Sequence, residues 1–288
     1  MKNQRILLAG ATGYLGRFIA SKLIEQEFPT RLIVRNLARA GFDSIKMEVV
    51  EANVTDANSL AGSCDDIDVV ISTVGITKQK DGLTYMDVDY KANLNLLNEA
   101  KKTEVKKFIY VSAFMADKLT NLKMCSAKEK FVEELQNSGL DYCIVRPNGF
   151  FSDMTEFLKM AKKGTLNLFG DGSYKMNPIH GADLAEVCID AIESSKKTIE
   201  VGGPDVFTHQ QIADLAYKVL NKQAKIKYMP EWMRKTILGL TRTFTSSKNY
   251  GPMEFFFTVL AMDMVASKYG THTLSSYFDE MKTKIQKS

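Results

Sequence analysis

The stretch that decides the fold is GATGYLG, residues 10–16, which directly follows the apolar run RILLA at residues 5–9. An amphipathic stretch from Tyr14 to Glu27 comes next, so the order is strand, glycine-rich turn and helix. The first glycine makes the tight turn, the second lets the backbone approach a pyrophosphate, and the third allows close packing of helix on sheet. The helix N-terminus presents free N–H groups to the phosphates. The pattern predicts a dinucleotide site formed by Gly10, Ala11, Thr12, Gly13, Tyr14, Leu15 and Gly16.

Length and charge place the chain among ordinary globular proteins. Its 288 residues suffice for one large α/β domain, and a net charge of +4 with no block of like charges argues against nucleic-acid binding. The four cysteines lack Cys-x-x-Cys spacing and do not pair with histidines at ligand spacing, so we expect free thiols and no metal. The longest apolar stretch, from Phe255 to Ala266, is broken by Asp263 and is too short to span a bilayer. With no signal peptide visible, these features predict a cytoplasmic protein without an integral membrane segment.

Strand and helix patterns alternate through the first half of the chain. Such alternation predicts a doubly wound parallel sheet, the NAD(P)-binding Rossmann fold. The predicted strands cover residues 5–9, 30–35, 47–52, 68–74, 108–112 and 142–145, and the predicted helices cover residues 14–27, 90–102 and 127–138.

After Pro147 the pattern loosens. Residues 148–153 and 168–180 are predicted to be loop-rich, followed by a helix at 181–192, a strand at 198–201 and a helix capped by Thr208. We therefore predict one domain over residues 1–288. Within it, about 150–180 and 203–288 form a small interleaved C-terminal lobe on the substrate side, where the carboxyl ends of the strands lie.

The end of the second predicted strand bears on the choice of cofactor. NAD-binding units place an acidic residue there for the ribose 2′-hydroxyl, whereas this chain has Arg35. A guanidinium favours a 2′-phosphate, so the sequence predicts NADP(H) in preference to NAD(H). Arg17 and Arg39 are further candidate cations, and for Arg39 a solvated helix face is the simpler interpretation.

Several motifs together resemble the atypical short-chain dehydrogenase/reductases, in the NmrA-like and isoflavone-reductase-like branch. Within that branch the chain is most similar to the subgroup that contains divinyl chlorophyllide 8-vinyl reductases and chloroplast assembly factors. The motifs are GATGYLG (10–16), LIVR (32–35), VVISTVG (69–75), KKFIYVSA (106–113), AKEKFVEELQNSGLDYCIVRPNGFF (127–151), PIHGADLA (178–185) and VGGP (201–204).

The resemblance implies roles for residues along the whole cofactor. Residues 10–16 would hold the pyrophosphate, Arg35 the 2′-phosphate, and Asn53 would lie near the adenine. The remaining positions would follow the cofactor to its reactive end: Thr73, Val74 and Gly75 at the adenosine ribose, Ser112 at the nicotinamide ribose, and Pro147, Asn148 and Phe150 at the nicotinamide face.

The chain departs from the superfamily at its usual proton donor, a tyrosine four residues before a lysine. Lys128 matches the lysine, but Met124 stands four residues earlier, and none of the eleven tyrosines has a lysine at that offset. Three interpretations of Lys128 remain open: it binds the nicotinamide ribose, it acts as acid or base if burial lowers its pKa, or it is a surface helix lysine.

The complete cofactor half and an apolar C-terminal lobe predict an NADP(H)-dependent reductase of a small, largely apolar carbonyl or enone substrate. Met124 in place of tyrosine motivates the alternative, a non-catalytic NADP(H)-binding sensor or assembly factor with a protein partner. The Met- and aromatic-rich lobe is explained by core packing or by an adaptable pocket or partner groove. Its basic segment, residues 230–244, suits a membrane surface or an acidic partner. The oligomeric state is left open.

Overall fold

The first strand and helix come from the stretch that opens the chain. The first strand, Ile6–Ala9, is completely buried, as expected for a central parallel strand with apolar neighbours on both faces. The first helix, Tyr14–Glu25, follows the glycine turn and buries one stripe at helical spacing: Leu15, Gly16, Ile19, Ala20 and Leu23. The predicted order of strand, turn and helix is confirmed.

The computed structural model describes residues 4–42, 47–77, 79, 82–244 and 247–286. Two compact units make up the chain. The first unit is Met1–Arg146 with Leu184–Ile199, and the second unit is Pro147–Asp183 with Glu200–Ser288.

The described strands are β1 (Ile6–Ala9), β2 (Thr30–Val34), β3 (Glu48–Glu51), β4 (Val69–Ser72), β5 (Lys107–Val111), β6 (Asp141–Pro147), β7 (Leu166–Phe169), β8 (Lys175–Met176), β9 (Thr198–Val201), β10 (Phe207–Thr208) and β11 (Ile226–Met229). Seven of them form one sheet in the order β3-β2-β1-β4-β5-β6-β9. The neighbours from β3 to β6 all pair in parallel. The order reverses between β1 and β4, which is the doubly wound Rossmann arrangement that the sequence predicted.

The described α-helices are α1 (Tyr14–Glu25), α2 (Leu37–Ala40), α3 (Asn93–Ala100), α4 (Lys123–Gln136), α5 (Phe151–Lys163), α6 (Gly181–Asp190), α7 (His209–Val219), α8 (Glu231–Phe244), α9 (Ser247–Val259) and α10 (Leu274–Gln286). A π-helical turn, Met86–Ala92, runs directly into α3. The core of the first unit lies between sheet and helices, where Leu7, Val70, Phe108 and Phe131 are fully buried.

Two predicted boundaries were wrong. Residues 148–153 were predicted as loop, but α5 begins at Phe151, and its buried Phe151, Met154, Phe157, Leu158 and Ala161 follow a helical period. Strand β6 was predicted to stop before Arg146 and Pro147, yet both residues belong to it. Pro147 is the last residue of the strand and lies beyond the last residue pair between β5 and β6, Val111 with Val145.

Two buried asparagines tie distant segments of the second unit together. The Asn177 amide donates to the carbonyl oxygens of Gly203 and Ala266 at 3.2 and 2.9 Å. The Asn148 amide donates to Asn177 Oδ1 at 2.7 Å and to the Met264 carbonyl at 2.5 Å. Both side chains are at most 3% exposed, so these bonds replace the water that the amides lose on burial.

Three absences concern only the described part of the chain. The four cysteines are buried and free, as predicted. Within the described ranges, no group of three or more Asp, Glu, His or Cys side chains could hold a metal ion. No described helix is both long and apolar enough to cross a membrane.

The basic segment predicted at residues 230–244 corresponds to α8. The side chains of two of its basic residues, Lys235 and Arg242, lie outside what the structure describes.

A buried histidine sets one expected pH dependence of stability. The His209 ring lies 6.4 Å from the Phe157 ring and 6.5 Å from the Tyr174 ring, and burial lowers the pKa of His209 to about 4. Its pKa in the unfolded chain is near 6.5, so the unfolded chain binds an extra proton between those pH values. We therefore expect His209 to reduce the free energy of unfolding by about 3 kcal/mol as the pH falls from 7 to 4.

The variant His209→Phe keeps an aromatic ring and removes this titration. Urea unfolding of the variant and the wild type at several pH values between 7 and 4 measures the difference. Stability should fall less steeply in the variant. Equal slopes would mean that His209 is hydrated in the folded protein.

Candidate cofactor site

The glycine turn forms a close-packed cradle between β1 and α1. Gly10 has a φ of +87°, a conformation that L residues with a side chain rarely adopt, and its carbonyl accepts from the Gly13 N–H at 3.0 Å. A Cβ on Gly16 would overlap the carbonyl oxygen of Gly10, and one on Gly10 would overlap the Thr73 hydroxyl. Glycine is therefore required at residues 10 and 16 by the backbone itself.

The N-terminus of α1 fits an anionic ligand. The N-cap residue of α1, Gly13, has no side chain with which to cap the helix, and the first turn of α1 contains no acidic residue. Thr12 and Gly13 are exposed at the turn, while Ala11 and Leu15 are buried beneath it. The helix dipole and the backbone N–H groups of this first turn favour a negative charge at the glycine turn, which is the arrangement that a pyrophosphate needs.

Other predicted positions follow the carboxyl ends of neighbouring parallel strands. Arg35 is exposed directly after β2, and Asn53 is exposed shortly after β3. Thr73, Val74 and Gly75 follow β4, and the buried Ser112 follows β5. Since these strand ends share one edge of the sheet with the glycine turn, the first unit brings these positions to the edge where ligands of such sheets bind.

The other candidate cations near Arg35 have different surroundings. The Arg17 guanidinium lies 5.5 Å from the centre of the Phe42 ring and donates to the Ala40 carbonyl at 3.4 Å. Arg39 is exposed on α2, where Asn36 caps its N–H at 3.0 Å. Arg17 is therefore held against α2 by its own contacts, whereas Arg35 projects from the strand end.

Lys128 is buried in an ion pair. Its Nζ lies 2.8 Å from Oδ1 of Asp89, and the two side chains are 11% and 0% exposed. The interpretation of Lys128 as a surface helix lysine is therefore wrong. Burial alone would lower the pKa of Lys128, but the carboxylate of Asp89 beside it outweighs burial and raises the pKa. Burial acts on Asp89 as well and raises its pKa, although the ammonium of Lys128 opposes this shift. The lowered pKa that an acid/base role was expected to require is thus not present.

A tyrosine does lie beside Lys128, although not at the superfamily's spacing. Tyr110, on β5, is fully buried, and Lys128 Nζ lies 5.6 Å from the centre of its ring. Burial raises the pKa of this phenol well above its usual value. Tyr110 therefore stays neutral and is enclosed in the core, so it does not replace the missing tyrosine as a proton donor to a ligand at the strand ends.

A second buried ion pair orients α4. Arg146 on β6 donates to both carboxylate oxygens of Glu129, at 2.8 and 2.6 Å, and the Ser112 hydroxyl donates to Glu129 Oε1 at 3.1 Å. Glu129 is the neighbour of Lys128 on α4. Its hydrogen bonds with Arg146 and Ser112 therefore tie the helix to the ends of β6 and β5. Glu129 also occupies the Ser112 hydroxyl, which was predicted to lie near the nicotinamide ribose.

The predicted nicotinamide-face residues belong to the second unit. Pro147 and Asn148 are buried there, and the Asn148 amide is engaged with Asn177. The Phe150 N–H donates to Asp153 at the start of α5. Their contact with a cofactor stays a prediction.

Sequence reasoning missed Asp89 and Asn93. Asn93 accepts from Ser72 at 2.6 Å and donates to the carbonyls of Val74 and Asp89, which fixes the π-helical turn against the end of β4. A signal was present: Tyr85, Asp89 and Asn93 are spaced four apart among apolar residues, which places two polar side chains on a buried helix face.

The comparisons with known proteins agree with this geometry. The profile of a family described as NAD(P)H-binding matches residues 10–195. The photosystem II assembly factor Ycf39 of Synechocystis is 26% identical over 303 residues, with 98% of this chain and 92% of that protein covered. The chloroplastic divinyl chlorophyllide a 8-vinyl-reductase of Arabidopsis thaliana is 26% identical over 312 residues, with 96% of this chain and 74% of that protein covered.

A solved structure shows the same fold. The NADPH-dependent quinone oxidoreductase of Escherichia coli, in complex with NADPH, superposes with a TM-score of 0.72 at 18% identity. The superposition covers 96% of this chain and 99% of that one.

Proposed function

The chain belongs to the NAD(P)H-binding family, in the atypical short-chain dehydrogenase/reductase branch with NmrA-like proteins, and we propose that it is a cytoplasmic NADP(H)-dependent reductase. Its substrate on this proposal is a small, largely apolar carbonyl or enone. The observation that carries the proposal is the close-packed glycine turn at the N-terminus of α1, a helix without an acidic residue in its first turn, with Arg35 exposed at the end of the adjacent strand. That edge offers backbone N–H groups to a pyrophosphate and a guanidinium to a 2′-phosphate.

The proposed reaction needs little chemistry from the protein. NADPH, when bound, supplies the hydride. Gly13 and the first turn of α1 would hold the pyrophosphate, Arg35 the 2′-phosphate, and Lys128 the hydroxyls of the nicotinamide ribose. The buried ion pair fixes Lys128 Nζ before any ligand arrives, which lowers the entropy cost of binding.

Cofactor selection is tested by titrating the purified protein with NADPH and with NADH, followed by fluorescence. We expect NADPH to bind at least tenfold more tightly, about 1.4 kcal/mol, because the Arg35 guanidinium pairs with the extra phosphate. Arg35→Ala should abolish this difference. Arg39→Ala is the matched control, since it removes an exposed arginine four residues further along and should leave most of the preference. Equal binding of both nucleotides by the wild type would refute NADP(H) selection.

A second candidate function is a non-catalytic NADP(H)-binding sensor or assembly factor. Met124 in place of the tyrosine favours it, as does the enclosure of Tyr110, and one relative is named an assembly factor. A panel of carbonyl and enone compounds, assayed by oxidation of NADPH, separates the two functions. Turnover of any panel member supports the reductase. A stable NADPH complex without turnover, together with a protein captured only when NADPH is bound, supports the sensor.

A further inference from the structure

The ion pair between Lys128 and Asp89 lies against the backbone that leaves β4. A Cβ placed on Gly75 would come within 2.7 Å of Asp89 Oδ1 and 3.0 Å of Lys128 Nζ, so the pair occupies the space that a side chain at residue 75 would need. The other carboxylate oxygen of Asp89 accepts from the Ile76 N–H at 3.3 Å. Asp89 therefore joins Lys128 to the segment that follows β4.

The backbone of Asp89 is fixed independently of its side chain. The Asn93 amide donates to the carbonyls of Val88, Asp89 and Val74 at 3.2, 3.0 and 3.1 Å. These bonds satisfy carbonyl oxygens within a π-helical turn, a feature that occurs often at functional sites. The carboxylate is thus presented to Lys128 by a rigid frame, which a merely incidental ion pair would not require.

Among the groups that face Lys128, Asp89 is the one that supplies a counter-charge, because the others are neutral or already paired. Tyr110 on β5 is a buried phenol whose pKa is raised, and burial raises the pKa of the Cys125 thiol, one turn earlier on α4, to about 12. Both are neutral near pH 7. Glu129, next on α4, is bound to Arg146 at 2.6 Å.

We propose that Asp89 is a positioning residue of the cofactor site: its carboxylate keeps Lys128 charged and fixed at the end of β4, so that Lys128 binds the ribose hydroxyls as a hydrogen-bond donor and does not transfer a proton. This inference rests on the proposed binding of NADP(H). On this inference the proton that completes the reduction comes from water or from a side chain other than Lys128. Asp89 acts through Lys128 and does not itself touch the substrate.

The first test needs no cofactor. In full-length protein with ¹³C-labelled lysines, NMR follows the Lys128 side chain from pH 6 to 10.5, with Lys128→Met used to assign its signal. In the wild type, the Lys128 signal should not titrate below pH 10. In Asp89→Asn it should titrate below pH 9, because burial then acts on the ammonium without an opposing charge. Asp87→Asn is the matched control. Asp87 lies two residues before Asp89 but pairs with the exposed Lys91, so this variant should leave the titration of Lys128 unchanged.

The second test measures NADPH binding by the same proteins between pH 7 and 9.5. Wild-type affinity should be constant, whereas that of Asp89→Asn should fall at least tenfold as Lys128 loses its proton. Asp89→Glu, which restores the charge, should abolish this pH dependence even if it binds more weakly. A wild type that binds no NADPH would refute the proposed function while the NMR titration still decides whether Asp89 holds the charge on Lys128.

Three results would overturn the inference itself. They are Lys128 titrating below pH 9 in the wild type, identical Lys128 titrations in wild type and Asp89→Asn, and pH-independent NADPH binding by Asp89→Asn. The first needs only the wild-type protein and Lys128→Met for the assignment, so it decides the matter even if Asp89→Asn does not fold.

Discussion

Gly16→Ala should lower the free energy of unfolding by about 3 kcal/mol or more. The added methyl group would overlap the carbonyl oxygen of Gly10 and come within 2.8 Å of the Ala11 Cα, and both are backbone atoms of the turn that leads out of β1. A flexible side chain could rotate away from a new methyl group, but this backbone can yield only by separating α1 from the sheet. Urea unfolding monitored by circular dichroism measures the loss, and NADPH titration should show weaker binding at temperatures where the variant is still folded.

The matched control is Gly239→Ala, the same substitution in another helix. Apart from its chain neighbours and the backbone of its own helix, a Cβ at Gly239, within α8, would meet no described atom within 4 Å. Alanine favours the helix over glycine, so this variant should be as stable as the wild type or up to about 1 kcal/mol more stable. If both substitutions had the same effect, α1 would not pack on β1 as closely as the structure describes.

The secondary structure could be predicted wherever the apolar residues of a segment recur with the regular spacing of a strand or of a helix. The alternation of buried strands and amphipathic helices predicted the parallel sheet from β1 to β6, and Thr208 was recognised as the cap of α7, where its hydroxyl accepts from Gln211. The helix α5 was missed: its first residues were predicted as loop, and no helix was predicted over the rest of it. Its buried stripe at Phe151, Met154 and Phe157 was the signal of a helix.

The site could be predicted only as far as it is local. The glycine turn and Arg35 were identified because their roles depend on position relative to one strand and one helix. The direction of the pKa shift of Lys128 depends on Asp89, which is 39 positions earlier in the chain and approaches through the packing of a different element. No sequence spacing encodes that contact, so a lowered pKa and a surface location were both reasonable expectations, and the structure rejects both.

Arg146→Met should strongly lower the free energy of unfolding. Arg146 and Glu129 are 8% and 14% exposed and joined by two short hydrogen bonds, so removing the guanidinium leaves a carboxylate largely buried without its counter-ion. Breaking a buried pair in this way costs about 3–5 kcal/mol. The Ser112 hydroxyl, which donates to the same carboxylate at 3.1 Å, carries no charge and cannot offset this cost.

Two further variants show whether burial is the cause. Arg146→Met with Glu129→Met removes both charges and should regain much of the lost stability, because no buried charge is left unpaired. Lys106→Met breaks the pair with Asp68, where Nζ and Oδ1 are 2.8 Å apart but the lysine side chain is 73% exposed, and should cost much less stability than Arg146→Met. Urea unfolding of the three variants gives the comparison. If Arg146→Met cost no more than Lys106→Met, water would reach Glu129 in solution. The pair between Arg146 and Glu129 would then not anchor α4.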